Sequence, residues 1–237
     1  MRLSALSLLL GVTFLAVSGC RFTGFYLNNP RNPLAGVRRV AVVAVEGRSS
    51  RDPVDLGEIL ASELVQFPGI EAVVRPAEVQ STARKNDLSL VDERSIRTLG
   101  RLSGADAVLV AELTEYNPYN PPRIAVAAQL FFTEPDAASD RTYIDLSAQG
   151  RARPIAALDR TGLIQIEKVY DGSQRETRDL AAAYARGHRI EDEAIDGADR
   201  VLWIPDLYFR FVSNCLVRDL FADYQARREA AKANGKS

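Results

Sequence analysis

The sequence is poor in the residues on which metal and redox chemistry depend, with one histidine and two cysteines among its 237 residues. No metal-ligand spacing is present, because a zinc site draws several ligands from these two residue types. An excess of charge is also lacking, since 30 basic and 31 acidic side chains leave a formal net charge of −1. A nucleic-acid-binding domain usually carries a strongly basic face, so this balance argues against nucleic acid as a partner. No glycine-rich phosphate loop follows a strand, because Gly47 and Gly57 lie too far apart to cradle a phosphate.

The N-terminus has the pattern of an export signal. Arg2 supplies a positive charge, and residues 3–17 form an apolar run of about 15 residues, within the range of a signal-peptide core. A helix that crosses a bilayer needs about 20 apolar residues, so this run is too short to span one. Two small residues precede Cys20, which resembles the site at which prolipoproteins are lipidated and cleaved. We therefore expect residues 1–19 to be a signal peptide and Cys20 to be the acylated N-terminus. The alternative is an ordinary signal peptide with an incidental cysteine.

Lipidation at Cys20 predicts a protein that is anchored to a membrane without crossing it, because two or three acyl chains together hold a protein firmly. Arg21 follows the cysteine. By resemblance to the sorting of diderm lipoproteins, in which Asp at this position favours retention in the inner membrane, Arg21 implies the outer membrane as the default, with the protein facing the periplasm. Cys215 is then the only free thiol. Its helical spacing from Phe211 predicts a buried, unreactive side chain.

From residue 37 the chain alternates strand and helix patterns. Residues 38–45 are almost continuously apolar, which is typical of a strand buried on both faces. Asp52, Pro53 and Asp55 then indicate a helix start. The next predicted elements are a strand at 70–74, a helix at 76–86, a helix ending at Gly104 with Ile96, Leu99 and Leu102 inward, and a strand at 107–113. This βαβααβ order predicts an α/β sheet with helices packed on it.

The second half changes to consecutive strands followed by helices. Strands are predicted at 113–116, 124–133, 143–151 and 163–170, and helices at 174–186 and 205–232. The last helix carries a core stripe of Leu207, Phe211 and Cys215, with Tyr208 at its edge. We predict an α/β fold with α+β character in its second half: a mixed sheet of about five to six strands with packed helices and a long C-terminal helix. One globular domain at 37–224 follows a flexible lipidated tether at 20–36 and precedes a frayed or disordered tail at 225–237.

Several short motifs in residues 37–116 are shared with a known family. They are the strand Arg39–Val45, the helix Leu56–Phe67, Val73-Val74-Arg75, Leu99-Gly100 and Gly104–Ala107. On these motifs the segment resembles the lipoprotein family that includes the curli secretion channel CsgG and the penicillin-binding-protein activator LpoB, and it is similar to the amino-terminal domain of TolB. The resemblance implies an envelope lipoprotein without catalytic residues. The sequence departs from the family where Val43-Ala44-Val45 lacks the usual proline and aromatic, and where Ala111-Glu112 replaces a common glycine.

No catalytic constellation is visible in the sequence. His188 stands between arginines that would disfavour its protonated form, and spacing identifies no partner to orient it as a general base. The acidic cluster at 191–199 lacks the alternating oxygen ligands and the glycine of a calcium loop, so it is interpreted as a solvated charge run. We predict no enzymatic activity, no metal and no cofactor.

The function predicted from these features is that of a membrane-anchored, non-catalytic interaction or assembly module of the cell envelope. Candidate contact residues are Tyr116, Tyr119, Arg123 and Trp203, because tyrosine, tryptophan and arginine are enriched at interface hot spots. Trp203 has a second interpretation, in which it fills the join between the last helix and the sheet. An envelope protein is the expected partner, and homo-oligomer formation stays open. The alternatives are a subunit of an oligomeric export channel and, least favoured, an enzyme.

Overall fold

The computed structural model describes residues 29–34, 36–45, 55–90, 92–133, 164–190 and 196–234. The predicted signal peptide, Cys20 and the strand predicted at 143–151 lie outside these residues. Five strands and six helices are present in the described ranges. In chain order they are β1 (Arg39–Val45), α1 (Leu56–Leu64), β2 (Ala72–Val74), α2 (Pro76–Lys85), α3 (Glu93–Leu102), β3 (Ala107–Asn117), β4 (Arg123–Phe132), β5 (Ile164–Asp171), α4 (Arg175–Gly187), α5 (Gly197–Trp203) and α6 (Pro205–Asn234).

The strands form one mixed sheet in the order β2-β1-β3-β4-β5. β1 is parallel to both β2 and β3, whereas β3, β4 and β5 pair antiparallel. Parallel neighbours need crossover connections, and α1 supplies one on the first face of the sheet while α2 and α3 supply the other on the second face. The predicted α/β fold with a mixed sheet and a long C-terminal helix is confirmed.

The centre of the sheet is covered on both sides, which explains the continuous apolar run of β1. Val40 and Val42 point into the core formed with α1 and α6, whereas Ala41 and Val43 point towards α2 and α3. All four side chains are buried. A strand enclosed in this way has no wet face, so its sequence cannot alternate between polar and apolar residues.

The shared motifs around α3 have a packing role. Gly100 faces Thr133 and Val108 so closely that a Cβ atom would overlap their methyl groups. Gly104 adopts a φ of +64° just after the helix, the left-handed conformation predicted for it. Leu102 was predicted to point inward, and this prediction is wrong. It is the last residue of the helix and is 53% exposed, because the helix ends before another turn can cover it.

The long helix α6 is part of the core, as predicted from its stripe. Phe211 and Cys215 are buried, together with Val212, Leu216 and Leu220. Tyr208, predicted at the edge of the stripe, is fully buried, whereas Leu207 is only half-buried. The stripe is therefore rotated by one residue at its start, because the first turn of α6 packs Tyr208 rather than Leu207 against the sheet. No helix in the described part of the chain has the length and apolarity needed to cross a membrane.

The two ends of the domain differ from the predicted boundaries. Residues 29–34 were assigned to the tether, but the backbone N–H of Asn32 donates to Pro68 O at 2.8 Å and Leu34 joins the core at 5% exposure. The side chain of Asn32 also donates to Val37 O at 2.6 Å, which holds the segment in a turn. At the other end, α6 continues to Asn234, through much of the region predicted as a frayed tail. The docked chain thus begins before residue 37.

Candidate functional site

The loop between β3 and β4 is held firmly against the start of α6. The buried hydroxyl of Tyr208 lies 2.7 Å from Tyr170 O and 3.2 Å from Pro122 O, so it bonds to the loop and to the end of β5 together. Gly172 N donates to the same Pro122 O at 2.8 Å. Burial raises the pKa of Tyr208, which keeps its hydroxyl protonated as a donor. The loop is therefore a fixed part of the domain.

Three of the exposed apolar side chains belong to the loop and to the helix join that meet at this end of the sheet. Tyr119 at the tip of the loop is 79% exposed, and Trp203 and Ile204, directly before α6, are 52% and 39% exposed. Ile204 O accepts from Tyr208 N at 2.9 Å, which places the join of α5 and α6 one helical turn from the loop contact. We call Tyr119, Trp203 and Ile204 the aromatic end. The structure does not place Trp203 as a filler of the join between helix and sheet, because half of its surface faces solvent.

The other two candidate contact residues are partly engaged within the domain. The ring of Tyr116 packs on Phe209 of α6 with centroids 5.1 Å apart, and its side chain is half-buried. Arg123 forms an ion pair with Glu115 across the hairpin, with 3.4 Å between nitrogen and oxygen. Both residues thus border the aromatic end as part of its support, with Arg123 still 45% exposed. Cys20, the predicted lipidation site, lies outside the described residues.

A buried polar cluster that the sequence analysis did not identify joins α1, α4 and α6. The carboxylate of Glu63 on α1 accepts hydrogen bonds from Asn214 Nδ2 at 3.3 Å, Gln66 Nε2 at 3.3 Å and Tyr184 Oη at 3.5 Å. Burial raises the pKa of Glu63, and these hydrogen bonds together with Arg210, 3.9 Å away, act in the opposite direction. We call Glu63, Gln66, Tyr184, Asn214 and Arg218 the polar junction.

The polar junction also holds the docked N-terminal segment. Asn29 Oδ1 accepts from Arg218 Nη2 at 2.9 Å and from Asn214 Nδ2 at 3.1 Å. Asn29 Nδ2 donates to Gln66 O at 3.2 Å, and Arg218 Nε donates to Asn214 Oδ1 at 2.7 Å. A sequence signal for this cluster existed, because Asn214 and Arg218 interrupt the apolar face of α6 four residues apart. The chain therefore enters the domain at the polar junction.

His188 belongs to the surroundings of this junction rather than to a free loop. It is the C-cap residue directly after α4, its ring stacks on Tyr184 with centroids 3.9 Å apart, and its Nε2 lies 3.3 Å from Gln66 Oε1. Burial is the first cause that lowers the pKa of His188, and the charge of Arg218 adds to it. The sequence analysis attributed a disfavoured protonated form of His188 to the arginines adjacent in sequence, and this attribution is wrong. The pKa of His188 is lowered by burial and by the charge of Arg218, which lies on another helix.

An open cleft of about 520 Å³ lies at the opposite end of the sheet, where β1 and β3 begin. It is lined by Gly36, Val37, Arg101, Gly104, Asp106 and Thr133, among others. Asp106 Oδ2 accepts from the backbone N–H groups of Arg38 and Arg39, both at 2.8 Å, which ties β1 to β3 there. Its negative charge is therefore engaged with the backbone at the bottom of the cleft.

Within the described ranges, no three or more histidine, cysteine, aspartate or glutamate side chains come together in a way that could hold a metal ion. Cys215 is buried, and burial raises the pKa of its thiol, which disfavours the nucleophilic thiolate. What the structure does offer is an exposed aromatic end on a rigid support and a buried junction that fixes the N-terminal segment.

No protein-family model matches this chain, and no curated protein matches it. Among solved structures, lipoprotein GNA1162 from Neisseria meningitidis is similar over 56% of this chain and 80% of that chain, with 17% identity and a TM-score of 0.29. A PelC dodecamer from Paraburkholderia phytofirmans is similar over 47% of this chain and 68% of that chain, with 17% identity and a TM-score of 0.24. Similarities this distant do not support a conclusion about function. Membership of the CsgG and LpoB family stays a prediction.

Proposed function

We propose that this protein is a lipid-anchored, non-catalytic interaction module of the bacterial cell envelope. The acyl chains on Cys20 attach it to the periplasmic face of the outer membrane, and the aromatic end binds an envelope protein. No cofactor, metal or nucleic acid takes part. The support for the anchor is the export signal that ends in Cys20, and the support for the binding role is the aromatic end.

The exposure of the aromatic end is the observation that carries this proposal. A tryptophan, a tyrosine and an isoleucine are exposed to solvent at one end of the domain, whereas other large apolar side chains, such as Phe209, are buried in the core. Tyrosine and tryptophan supply large contact area with few rotatable bonds, so they lose little conformational entropy on binding. Because Tyr208 fixes the loop to α6, the surface is preorganised, which lowers the cost of association.

A capture experiment with a matched control tests the binding surface. The lipidated protein is purified from envelope extracts with crosslinking, as wild type, as the double variant Tyr119→Ala and Trp203→Ala, and as Leu102→Ala. Leu102 is as exposed as Trp203 but lies at the other end of the domain. We expect one envelope protein to be captured by the wild type and by Leu102→Ala and to be lost with the double variant. Equal capture by all three proteins would show that the aromatic end is not the contact surface.

Metabolic labelling with a fatty-acid analogue tests the anchor separately. The wild type expressed in a diderm host should take up the label and fractionate with the outer membrane, whereas Cys20→Ser should take up none. An unlabelled wild type would refute the lipid anchor while leaving the binding test intact.

A further inference from the structure

We propose that residues 29–34 are a strap that sets how far the domain reaches from the membrane. Docked on the polar junction, the strap keeps the domain close to the anchor, and its release lets the domain move away while it stays folded. This inference rests on the proposed lipid anchor at Cys20. It regulates which partners the aromatic end can meet, because a tethered surface binds only what its tether allows it to reach.

Asn29 fastens the strap to the polar junction. Its Oδ1 accepts from Arg218 Nη2 at 2.9 Å and from Asn214 Nδ2 at 3.1 Å. Its own Nδ2 donates to Gln66 O at 3.2 Å, just after α1 ends. Asn29 is half-buried, whereas Asn214 and Arg218 are buried. One side chain at the edge of the domain therefore supplies three of the hydrogen bonds that hold the strap.

A turn around Asn32 makes the second attachment. Asn32 N donates to Pro68 O at 2.8 Å. Its side chain closes the turn, since Oδ1 accepts from Leu34 N at 3.0 Å and Nδ2 donates to Val37 O at 2.6 Å. Leu34 is the buried residue of the strap, and the other five are half-buried or exposed. The strap is thus attached by one apolar side chain and a small set of hydrogen bonds.

The strap is held less firmly than the strand that follows it. Residues 29–34, all of them described, belong to no helix or strand. β1, in contrast, pairs with β2 on one side and with β3 on the other. Segments with few buried apolar contacts open locally at a lower free energy than the core does. We therefore expect the strap to open while the sheet stays intact.

The polar junction keeps its internal bonds when the strap leaves. Asn214 joins its two buried charged groups, because Nδ2 donates to Glu63 Oε2 at 3.3 Å and Oδ1 accepts from Arg218 Nε at 2.7 Å. Neither bond involves the strap. Water can take the place of Asn29 at Arg218 Nη2, so opening does not leave an isolated charge in the core, which would be strongly destabilising.

The position of the strap determines the reach of the domain. Asn29 follows Cys20 by nine residues, so a docked strap limits the distance between their Cα atoms to about 32 Å, even with the chain fully extended. With the strap released, the first buried residue of the domain is Val37, which follows Cys20 by seventeen residues. The limit then rises to about 61 Å. Release of the strap thus nearly doubles the greatest distance between anchor and domain.

Limited proteolysis of the full lipidated protein in neutral detergent tests the docking. Trypsin cuts after Arg31 only when the strap is open, so the cleavage rate, followed by mass spectrometry, reports the open population. We expect Asn29→Ala to be cut at Arg31 at least about ten-fold faster than wild type, the factor for one lost hydrogen bond to a charged group. Asn86→Ala changes an exposed asparagine directly after α2, on the other face of the sheet, and should match wild type. Thermal melting of each variant shows that it is folded.

Energy transfer to the membrane tests the reach. Of the two native cysteines, Cys20 is acylated in the proposed function and Cys215 is buried, so a dye can be attached to Leu102→Cys at an exposed position. The labelled protein is placed in vesicles that contain an acceptor-labelled lipid. Energy transfer should fall when Asn29→Ala and Asn32→Ala are added together, and it should stay unchanged when Asn86→Ala is added.

The outcomes separate the strap from the anchor. Equal cleavage at Arg31 in wild type and Asn29→Ala would overturn the strap, whether or not the protein is acylated. Faster cleavage with unchanged energy transfer would overturn its control of the reach. Protein that does not float with the vesicles would overturn the proposed anchor, and the control of the reach with it, while the cleavage rates still report whether the strap is docked.

Discussion

Phe211→Ala should lower the free energy of unfolding by about 3–5 kcal/mol, because Phe211 is fully buried in the core between α6 and the sheet. Its ring makes edge contacts with Tyr170 at 6.1 Å and Tyr184 at 5.8 Å between centroids. Each aromatic pair contributes about 0.5–1.5 kcal/mol beyond the buried area, which places the expected loss in the upper part of that range. Domains have only about 5–15 kcal/mol of stability in total, so this one change removes a large share.

Urea unfolding, followed by circular dichroism on protein expressed without residues 1–20, measures this loss. A loss of about 4 kcal/mol corresponds to a fall in Tm of roughly 8–16 °C for a domain of this size. Leu102→Ala is the control, since its side chain is more than half exposed, and it should cost less than about 1 kcal/mol.

A loss below about 1 kcal/mol for Phe211→Ala, with an unchanged m-value, would refute the packing of α6 on the sheet. The helix would then be detached from the core, and its apolar stripe would be free for a partner. A loss in the expected range with a changed m-value would instead show that the denatured state had become more or less compact.

The remaining predictions concern packing, ionisation and the alternative function. Gly100→Ala should destabilise the domain by about 1–3 kcal/mol in thermal melts, because the new methyl group meets Thr133 and Val108; an unchanged Tm would contradict this close approach. The single histidine, His188, should titrate in NMR below its ordinary pKa of 6.5, since burial disfavours its charged form. The unfolded state binds this proton more readily than the folded state does. The contribution of His188 to the free energy of unfolding is therefore complete above pH 6.5 and is lost as the pH falls towards the lowered pKa. In His188→Gln this part of the pH dependence should be absent. Purified lipidated protein should give no conductance steps in planar bilayers, and reproducible steps would favour the export-channel alternative over the interaction module.

Several elements could be predicted because their signals are local. The apolar run at 38–45, the βαβααβ order and the stripe around Phe211 are each patterns of neighbouring residues, and the structure has these elements. The start of α1 differs, because its cap is Asp55 and not the predicted Asp52. Local signals lose accuracy at the ends of elements. Leu102 was placed inside on spacing alone, although the last residue of a helix has no following turn to cover it.

The candidate contact residues could be named from the sequence, but their surroundings could not. Residue type singled out Tyr119 and Trp203, since few other aromatics lie in turn-rich stretches. Whether they face water depends on the contact between Tyr208 and Pro122, which are 86 residues apart. The surroundings of Tyr116 could not be predicted either. The sequence suggested Tyr116 as a contact residue, but in the structure its ring packs on Phe209.

What the sequence determined by itself is the nearly neutral charge, the scarcity of metal ligands and the order of strands and helices; the export signal that ends at Cys20 stays a prediction. These properties depend on composition and on neighbours along the chain. Tertiary structure alone decided that residues 29–34, expected to be part of the tether, are docked on the domain. Asn29 meets Asn214 and Arg218 across 185 and 189 residues. The two polar residues interrupt the apolar face of α6, but nothing in the sequence identifies Asn29 as their partner. A buried hydrogen bond needs its partner in space, and only folding brings the N-terminal segment to α6.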